Sequence, residues 1–195
     1  MRTIKLDPDK LFFTSDTHFG HKNIIKYCNR PFKTVEEMNE TLIKNWNEVV
    51  PKDGVVVHCG DFTYPFKDSN IIDQYQKYFS QLKGSIILVR GNHDEIPLGV
   101  YEFVNNLGIR SFEVHDQLMF NVDGVGMFAS HYPATVFPGQ YQVFGHLHTL
   151  KDDTSFFIKG KTSDVLKPTQ YDVGVDQNDF RPISYWELCN IFKQR

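Results

Sequence analysis

Residues 55–62 read VVVHCGDF and residues 86–94 read IILVRGNHD. In each, a short apolar run meets a glycine and then Asp, or Asn-His. An apolar run that is continuous rather than alternating is the pattern of a strand buried on both faces. The glycine behind it lets the chain turn tightly, so that the next side chain faces away from the strand. The same order recurs three more times: Leu11–Phe13 precedes TSDTHFGH, Val125–Ala129 precedes SHYP, and Tyr141–Phe144 precedes GHLH. The carboxyl ends of parallel strands face a common crevice where ligands bind. Asp16, His18, Asp61, Asn92, His93, His131, His146 and His148 are therefore expected to converge.

Working outward, the segments between these runs have helical spacing. Thr34 opens a TVEE capping box, followed by Val35, Met38, Leu42, Trp46 and Val49 at helix period. Ile71, Ile72, Tyr75, Tyr78, Phe79 and Leu82 predict a second amphipathic helix ending near Gly84. Strand, helix, strand, helix, strand is the pattern of a parallel α/β sheet. Val100, Phe103, Val104 and Leu107, with Gly108 behind them, predict a short third helix. Residues 111–130 alternate, and Asp123-Gly124 sits between two apolar runs as a two-residue hairpin turn. Tyr141–Phe144 and Tyr171–Val175 read as further strands. Ser184 and Glu187 form a second capping box before a helix carrying Leu188, Ile191 and Phe192. Residues 149–170 read only as a polar loop broken by Phe156-Phe157-Ile158. The expected fold class is α/β, with two packed, mixed β-sheets flanked by helices in one domain over residues 1–195.

Composition narrows the function. Of 195 residues, 41% are hydrophobic and 23% charged, as in a globular protein. The longest apolar run, Ile86–Val89, is far short of the ~20 residues that span a bilayer. The opening MRTIKLDPDK lacks the apolar core of a secretory signal. Three cysteines, Cys28, Cys59 and Cys189, form no CxxC and no disulfide framework, which suggests reduced thiols and a cytoplasmic setting. Lys plus Arg number 21 against 24 Asp plus Glu, a net charge of −3, and no basic track suits a nucleic-acid backbone. Carboxylates and imidazoles without a thiolate among them suit divalent transition metals rather than a closed structural zinc site. Asp-x-His and His-x-His would set two ligands on one side of an extended chain.

The motifs appear in the order DTH (16–18), GD (60–61), GNHD (91–94), SH (130–131) and GHLH (145–148). In this order and spacing the chain resembles the calcineurin-like metallophosphoesterase superfamily over residues 16–148. SDTHFGH with YCNRPF is similar to its small single-domain bacterial and phage members. The chain departs from the protein phosphatase branch, because GDFTYPF stands where that branch has Asp-Arg-Gly, and this disfavours protein dephosphorylation. The resemblance implies an αββα sandwich and two divalent ions, manganese foremost, with iron, zinc or nickel compatible. One site would use Asp16, His18, Asp61 and His148; the other would use Asp61, Asn92, His131 and His146, with Asp61 bridging. Two ions would carry +4 against −2 from the aspartates, a local positive field suited to phosphate. The resemblance further implies in-line attack by a metal-bridging hydroxide on a small phosphoester, with His93 as the acid for the leaving group and Asp94 as its orienting partner.

Other readings remain open at this point. His21 either contacts substrate phosphate or caps the next turn. Arg30 and Arg90 either clamp phosphate or form salt bridges. Phe19, Tyr64, Phe66 and Tyr132 either stack on an aromatic leaving group, such as a nucleobase, or pack. His58 is a packed or supporting residue, Cys59 a small buried hydrophobe, and His115 has no assigned role. Asp172, Asp176 and Asn178 fit no calcium-loop pattern and read as part of a strand closing the second sheet. The absence of an obvious cap domain favours phosphodiesters over phosphomonoesters. A non-catalytic scaffold and a nucleotide-binding module are the alternatives, the latter without a GxGxxG or Walker A loop. Substrate identity and oligomeric state are not legible.

Overall fold

The computed structural model describes residues 6–64, 70–105, 108–149 and 166–194. Among the described residues, ten strands form two mixed sheets. Strands β1 (Leu11–Thr14), β2 (Val55–His58), β3 (Ser85–Val89), β4 (Gly99–Asn105), β5 (Gly108–His115) and β10 (Ile183–Ser184) make the first, in the order β10-β1-β2-β3-β5-β4. Its central strands β1, β2, β3 and β5 are parallel; β10 and β4 join antiparallel at the edges. Strands β6 (Leu118–Val122), β7 (Val125–Ala129), β8 (Tyr141–Phe144) and β9 (Gln170–Asp172) form the second sheet in sequence order. Helices α1 (Lys22–Tyr27), α2 (Val35–Val49), α3 (Ile71–Phe79) and α4 (Tyr185–Lys193) complete the fold, after a 3-10 turn at Pro8–Lys10.

The continuous apolar runs are explained by two cores on opposite faces of the first sheet. Phe12, Val56, Ile86 and Leu88 point to the helical side, where Met38, Leu42 and Trp46 of α2 and Tyr75, Tyr78 and Phe79 of α3 cover them. Leu11, Phe13, Val57, Ile87 and Val89 point the other way, onto Phe120, Met127, Val143 and Tyr171 of the second sheet and onto Leu188 and Phe192 of α4. With both faces dry, the runs Leu11–Phe13, Val55–Val57 and Ile86–Val89 are apolar at successive positions rather than at alternate ones. Asp123 (φ 51°) and Gly124 (φ 83°) close the β6–β7 hairpin with left-handed backbone at both turn positions, as a two-residue turn requires.

Several expectations need correction. Residues 99–105 are not helical: β4 pairs antiparallel with β5, setting Tyr101 opposite Phe112. Burial follows period two there, with Val100 65% and Phe103 5% exposed. The i, i+3 coincidence of apolar residues loses to β-branched and aromatic propensity. Gly108 begins a strand rather than ending a helix, and Leu107 lies outside the described residues. The last strand of the second sheet stops at Asp172; Gly174 instead bridges to Ser15. Helix α3 ends at Phe79, and a turn carries the chain to Gly84 (φ 82°). The box at Thr34 is half formed: Thr34 accepts from the Glu37 N–H, but Glu37 reaches back to Lys33 N–H at 2.8 Å. The box at Ser184 and Glu187 is complete. Phe66 and residues 150–165, including Phe156-Phe157-Ile158, lie outside the described residues.

Candidate metal centre

Five loops meet at the carboxyl ends of β1, β2, β3, β7 and β8, and backbone hydrogen bonds tie them together. Asp16 N–H donates to Gly60 O at 2.9 Å, His18 N–H to Asp61 O at 2.9 Å and Gly145 N–H to His131 O at 3.0 Å. The chain is not extended across the motifs. Asp16 (φ 56°), His18 (φ 49°), Asp61 (φ 56°), His146 (φ 70°) and His148 (φ 49°) all adopt left-handed backbone. They are five of the nine described non-glycine residues that do so. Strand pleating therefore does not align the pairs Asp16/His18 and His146/His148; repeated left-handed kinks do, at a cost of about 1–2 kcal/mol each. Strain of this kind persists where the surroundings over-determine it, as at functional sites.

The motif glycines make room for carboxylates rather than for turns alone. A Cβ on Gly91 would stand 2.1 Å from Asp61 Oδ1, and one on Gly145 would stand 2.5 Å from Asp16 Oδ2. Each aspartate is thus seated against bare backbone. Asp16 accepts from His146 N–H at 3.0 Å, and Asp61 Oδ1 accepts from His93 N–H at 2.9 Å.

The remaining donor atoms point inward. Asp61 Oδ2 lies 3.4 Å from His18 Nε2 and 3.7 Å from His131 Nε2, so it stands between the two. His148 Nε2 lies 3.9 Å from Asp16 Oδ1. Asn92 Oδ1 lies 2.9 Å from His131 Nε2 and 3.0 Å from His146 Nδ1. Atoms about 2.1 Å from a shared ion stand roughly 3.0–3.4 Å apart, and most of these separations fall close to that range. Asp16, His18 and His148 form one group able to hold a metal ion; Asp16, Asp61 and His131 form another. Two observations show that the residues fit such an ion. The buried His18 Nε2 has no hydrogen-bond partner. A carbonyl oxygen only accepts, so His131 Nδ1, 2.8 Å from Cys59 O, is committed there as a donor, and Nε2 is the ring nitrogen that faces the oxygen of Asn92 and the crevice. Lone pairs facing each other in a buried site are stabilised by a cation.

Protonation follows burial. Burial raises the Asp16 carboxyl to about 7, against the pull of His148 and His131. Burial drives His18 well below its ordinary range and takes His21 to about 4; His146 is lowered for the same reason. His148 goes the other way. Burial opposes its charge, but hydrogen bonds to Asp176 and Cys28 and the carboxylates of Asp16 and Asp176 lift it to about 11.

Asp176 and Arg30 are supports that the motifs do not reveal. Asp176 Oδ2 accepts from His148 Nδ1 at 2.8 Å, leaving Nε2 to face Asp16. Arg30 clamps the same carboxylate through Nε at 2.8 Å and Nη2 at 2.9 Å, and donates to Asp16 O at 2.7 Å. Burial raises the Asp176 carboxyl, but the Arg30 guanidinium and the His148 imidazole together outweigh it and the net direction is down. Arg30 is thus a buried cross-brace, not a phosphate clamp. Asp172 is also buried, accepting from Thr149 N–H and Gly174 N–H. The leftover acidic run YDVGVDQND was the available sequence signal for both aspartates.

Asp94 does not touch the His93 ring. Its carboxylate accepts from the N–H groups of Asp61, Phe62 and Gly91 and from the Tyr75 hydroxyl. It holds the loop carrying Asp61 instead. The His93 ring stands 5.4 Å from that of His18 and 5.5 Å from that of Tyr64. His21 is brought into the site: its Nδ1 lies 3.4 Å from His18 Nδ1, its ring stacks on Tyr64 at 3.9 Å, and it makes no side-chain cap. Arg90 is elsewhere, paired with Asp116. Phe19 and Cys59 are core residues. His58 is buried, with Nε2 3.0 Å from Thr17 Oγ1 and Nδ1 accepting from Gly60 N–H. His115 pairs with Glu113. Tyr132 is exposed at the mouth beside His131 and His146.

Known proteins resemble the chain over most of its length. The model of the calcineurin-like phosphoesterase family matches residues 10–187. An uncharacterized protein of Methanocaldococcus jannaschii, MJ1445, is 33% identical over 178 residues, covering 90% of this chain and 86% of that protein. The gene 66 protein of Mycobacterium phage L5 is 37% identical over 83 residues, 43% of this chain and 39% of that protein. The crystal structure of AQ665, a protein of unknown function from Aquifex aeolicus, superposes with a TM-score of 0.64 at 25% identity, covering 93% of this chain and 98% of that one. Among the described residues, no helix is long and apolar enough to cross a membrane.

Proposed function

The chain belongs to the calcineurin-like phosphoesterase family, and from that premise we propose that it is a dinuclear, manganese-dependent hydrolase that prefers phosphodiesters to phosphomonoesters. The observation that carries the two-ion reading is the position of Asp61 Oδ2, between His18 Nε2 at 3.4 Å and His131 Nε2 at 3.7 Å. Asp16 and His148 extend one side of that bridge, Asn92 and His146 the other. Two ions bound there would polarise the phosphoryl oxygens and supply a nucleophile at neutral pH.

The chain's own groups do the rest. The Asp61 carboxylate, tied to the His93 N–H, fixes His93 relative to the bridge. From there the His93 imidazole donates a proton to the departing alkoxide. His18 stays neutral through burial and so keeps its lone pair. Asp176 holds His148 with Nε2 toward Asp16. Asn92 and Tyr132 lie exposed at the mouth, leaving space for the second ester group of a diester. The three free cysteines suit a reducing cytoplasm.

The test is hydrolysis of aryl and alkyl phosphodiesters and phosphomonoesters after loading with manganese, iron, zinc or nickel. The diesters are expected to be cleaved faster. Asp61→Asn should cost on the order of 10³-fold or more in kcat/KM. His93→Ala should slow alkyl esters by about 10²–10⁴-fold and esters with a nitrophenolate leaving group, which needs no proton, much less. Turnover of none of these esters with any metal would leave the scaffold reading in place.

A further inference from the structure

Tyr132 stands at the centre in a way that the ligand scheme does not use. Three groups approach Asn92 Oδ1: His131 Nε2 at 2.9 Å, His146 Nδ1 at 3.0 Å and the Tyr132 hydroxyl at 3.4 Å. The two imidazoles belong to the ligand set. The phenol is a neutral donor making a long bond to an amide oxygen, and the residue is 51% exposed. Its ring packs edge to face on both imidazoles, with centroids 4.9 Å from His131 and 4.5 Å from His146.

The loop that carries it is held from beneath by buried amides. Gln142 is 0% exposed; its Oε1 accepts from Ala134 N–H at 3.1 Å. Its Nε2 donates to Ser130 Oγ at 2.7 Å and to Tyr132 O at 3.2 Å. Gln170 Nε2, also buried, donates to Ala134 O at 2.9 Å. The Ser130 hydroxyl donates to Tyr132 O at 2.8 Å. Burying two primary amides costs free energy unless they are bonded, and what they bond is the backbone of residues 130–134. A ring packed on two ligands above a bolted backbone is fixed in place rather than swinging in solvent.

We propose that Tyr132 is a substrate-binding residue, its hydroxyl donating to a non-bridging oxygen of the phosphoryl group. This rests on the phosphoesterase reading. A charged phosphoryl oxygen is a far better acceptor than a neutral amide, so the O–H turns from Asn92 to the substrate when an ester enters the mouth. A phenol adds a donor without adding charge, which suits a site whose positive charge comes from ions.

The experiment compares wild type, Tyr132→Phe and Val136→Ala, each loaded with manganese. Val136 is on the same loop and 85% exposed. Binding of inorganic phosphate is measured by titration calorimetry, manganese affinity separately, and kcat/KM with an aryl phosphodiester. Tyr132→Phe keeps the ring on both histidines. It is expected to weaken phosphate binding about 10- to 100-fold, to lower kcat/KM by a similar factor and to leave manganese affinity unchanged; Val136→Ala changes none of these. Equal phosphate affinity in wild type and Tyr132→Phe overturns the proposal. So does a matching loss of manganese affinity, which would assign the hydroxyl to Asn92. Wild type that fails to bind phosphate also overturns it. Wild type that binds phosphate but hydrolyses no ester removes the phosphoesterase reading, while the binding comparison still decides the role of Tyr132.

Discussion

The two halves of the metal centre are built differently. Around Asp16, His18 and His148 the first two side chains are buried and the third is partly so, and a second layer of buried Arg30, Asp176 and Asp172 supports them. Around Asn92, His131 and His146 the crevice opens: Asn92 and Tyr132 are exposed and His146 is half-buried. In the first half, burial is the largest cause moving protonation far from ordinary values, to about 7 for Asp16 and, with neighbouring cations adding to it, well down for His18. A buried half with a charged brace is costly to assemble and hard to disturb. An open half exchanges ligands with solvent and meets the substrate.

The largest break in this contrast should come from the brace. Arg30→Met would leave Asp176 buried without its guanidinium, and is expected to cost about 3–5 kcal/mol in urea denaturation. Asn92→Ala, on the open side, should stay within about 0.5 kcal/mol of wild type yet lose turnover. If the two variants cost the same stability, the contrast fails. Next in size, Asp176→Asn should weaken metal binding by about 10–100-fold, as outer partners of ligating histidines do. Chelator titration followed by metal analysis should then show the buried half emptying early, whereas in wild type the open half empties first.

Much of this was legible in the sequence, for a physical reason. Two-sided burial makes central strands continuous in apolar character, so VVVH and IILV announced themselves, and the polar residues ending each run announced the crevice. Other features were not legible. The segment GVYEFVN satisfies helical and strand periods at once, and only pairing with β5 decides between them. The left-handed kinks at Asp16, His18, Asp61, His146 and His148 are only weakly signalled by residue type: aspartate and histidine are enriched in that region, but most of them lie elsewhere. Arg30 and Asp176 are 146 residues apart. No local pattern connects a basic residue after α1 with an acidic one after β9.

A smaller effect sharpens the contrast through pH. His58 lies behind the buried half, against Thr17, and burial lowers it from 6.5 to about 3. The unfolded chain protonates it near 6.5, the folded chain only near 3. Its contribution is therefore complete above pH 6.5 and drains as pH falls from 6.5 toward 3, at about 1.4 kcal/mol per pH unit. His58→Asn removes that titration. Subtracting the variant's urea stability from that of wild type between pH 7 and 4 should show this slope; a flat difference would mean that the site is not sealed. The smallest effect lies outside both halves. Ser184→Ala removes the N-cap of α4 and should cost about 1 kcal/mol, with metal affinity and kcat/KM unchanged.

The proposed ligand set is divided between the sheets. Asp16, His18, Asp61 and Asn92 leave the six-stranded sheet, whereas His131, His146 and His148 leave the four-stranded one. What separates the sheets is hydrocarbon: Phe13, Val57 and Val89 on one side, Phe120, Met127 and Val143 on the other. Interiors packed to crystal density barely compress. That layer therefore works as a gauge block, and its thickness sets the gap across which the two groups of donors face each other. The spacing offered to an ion is thereby set partly by residues that carry no charge and stand away from the donor atoms.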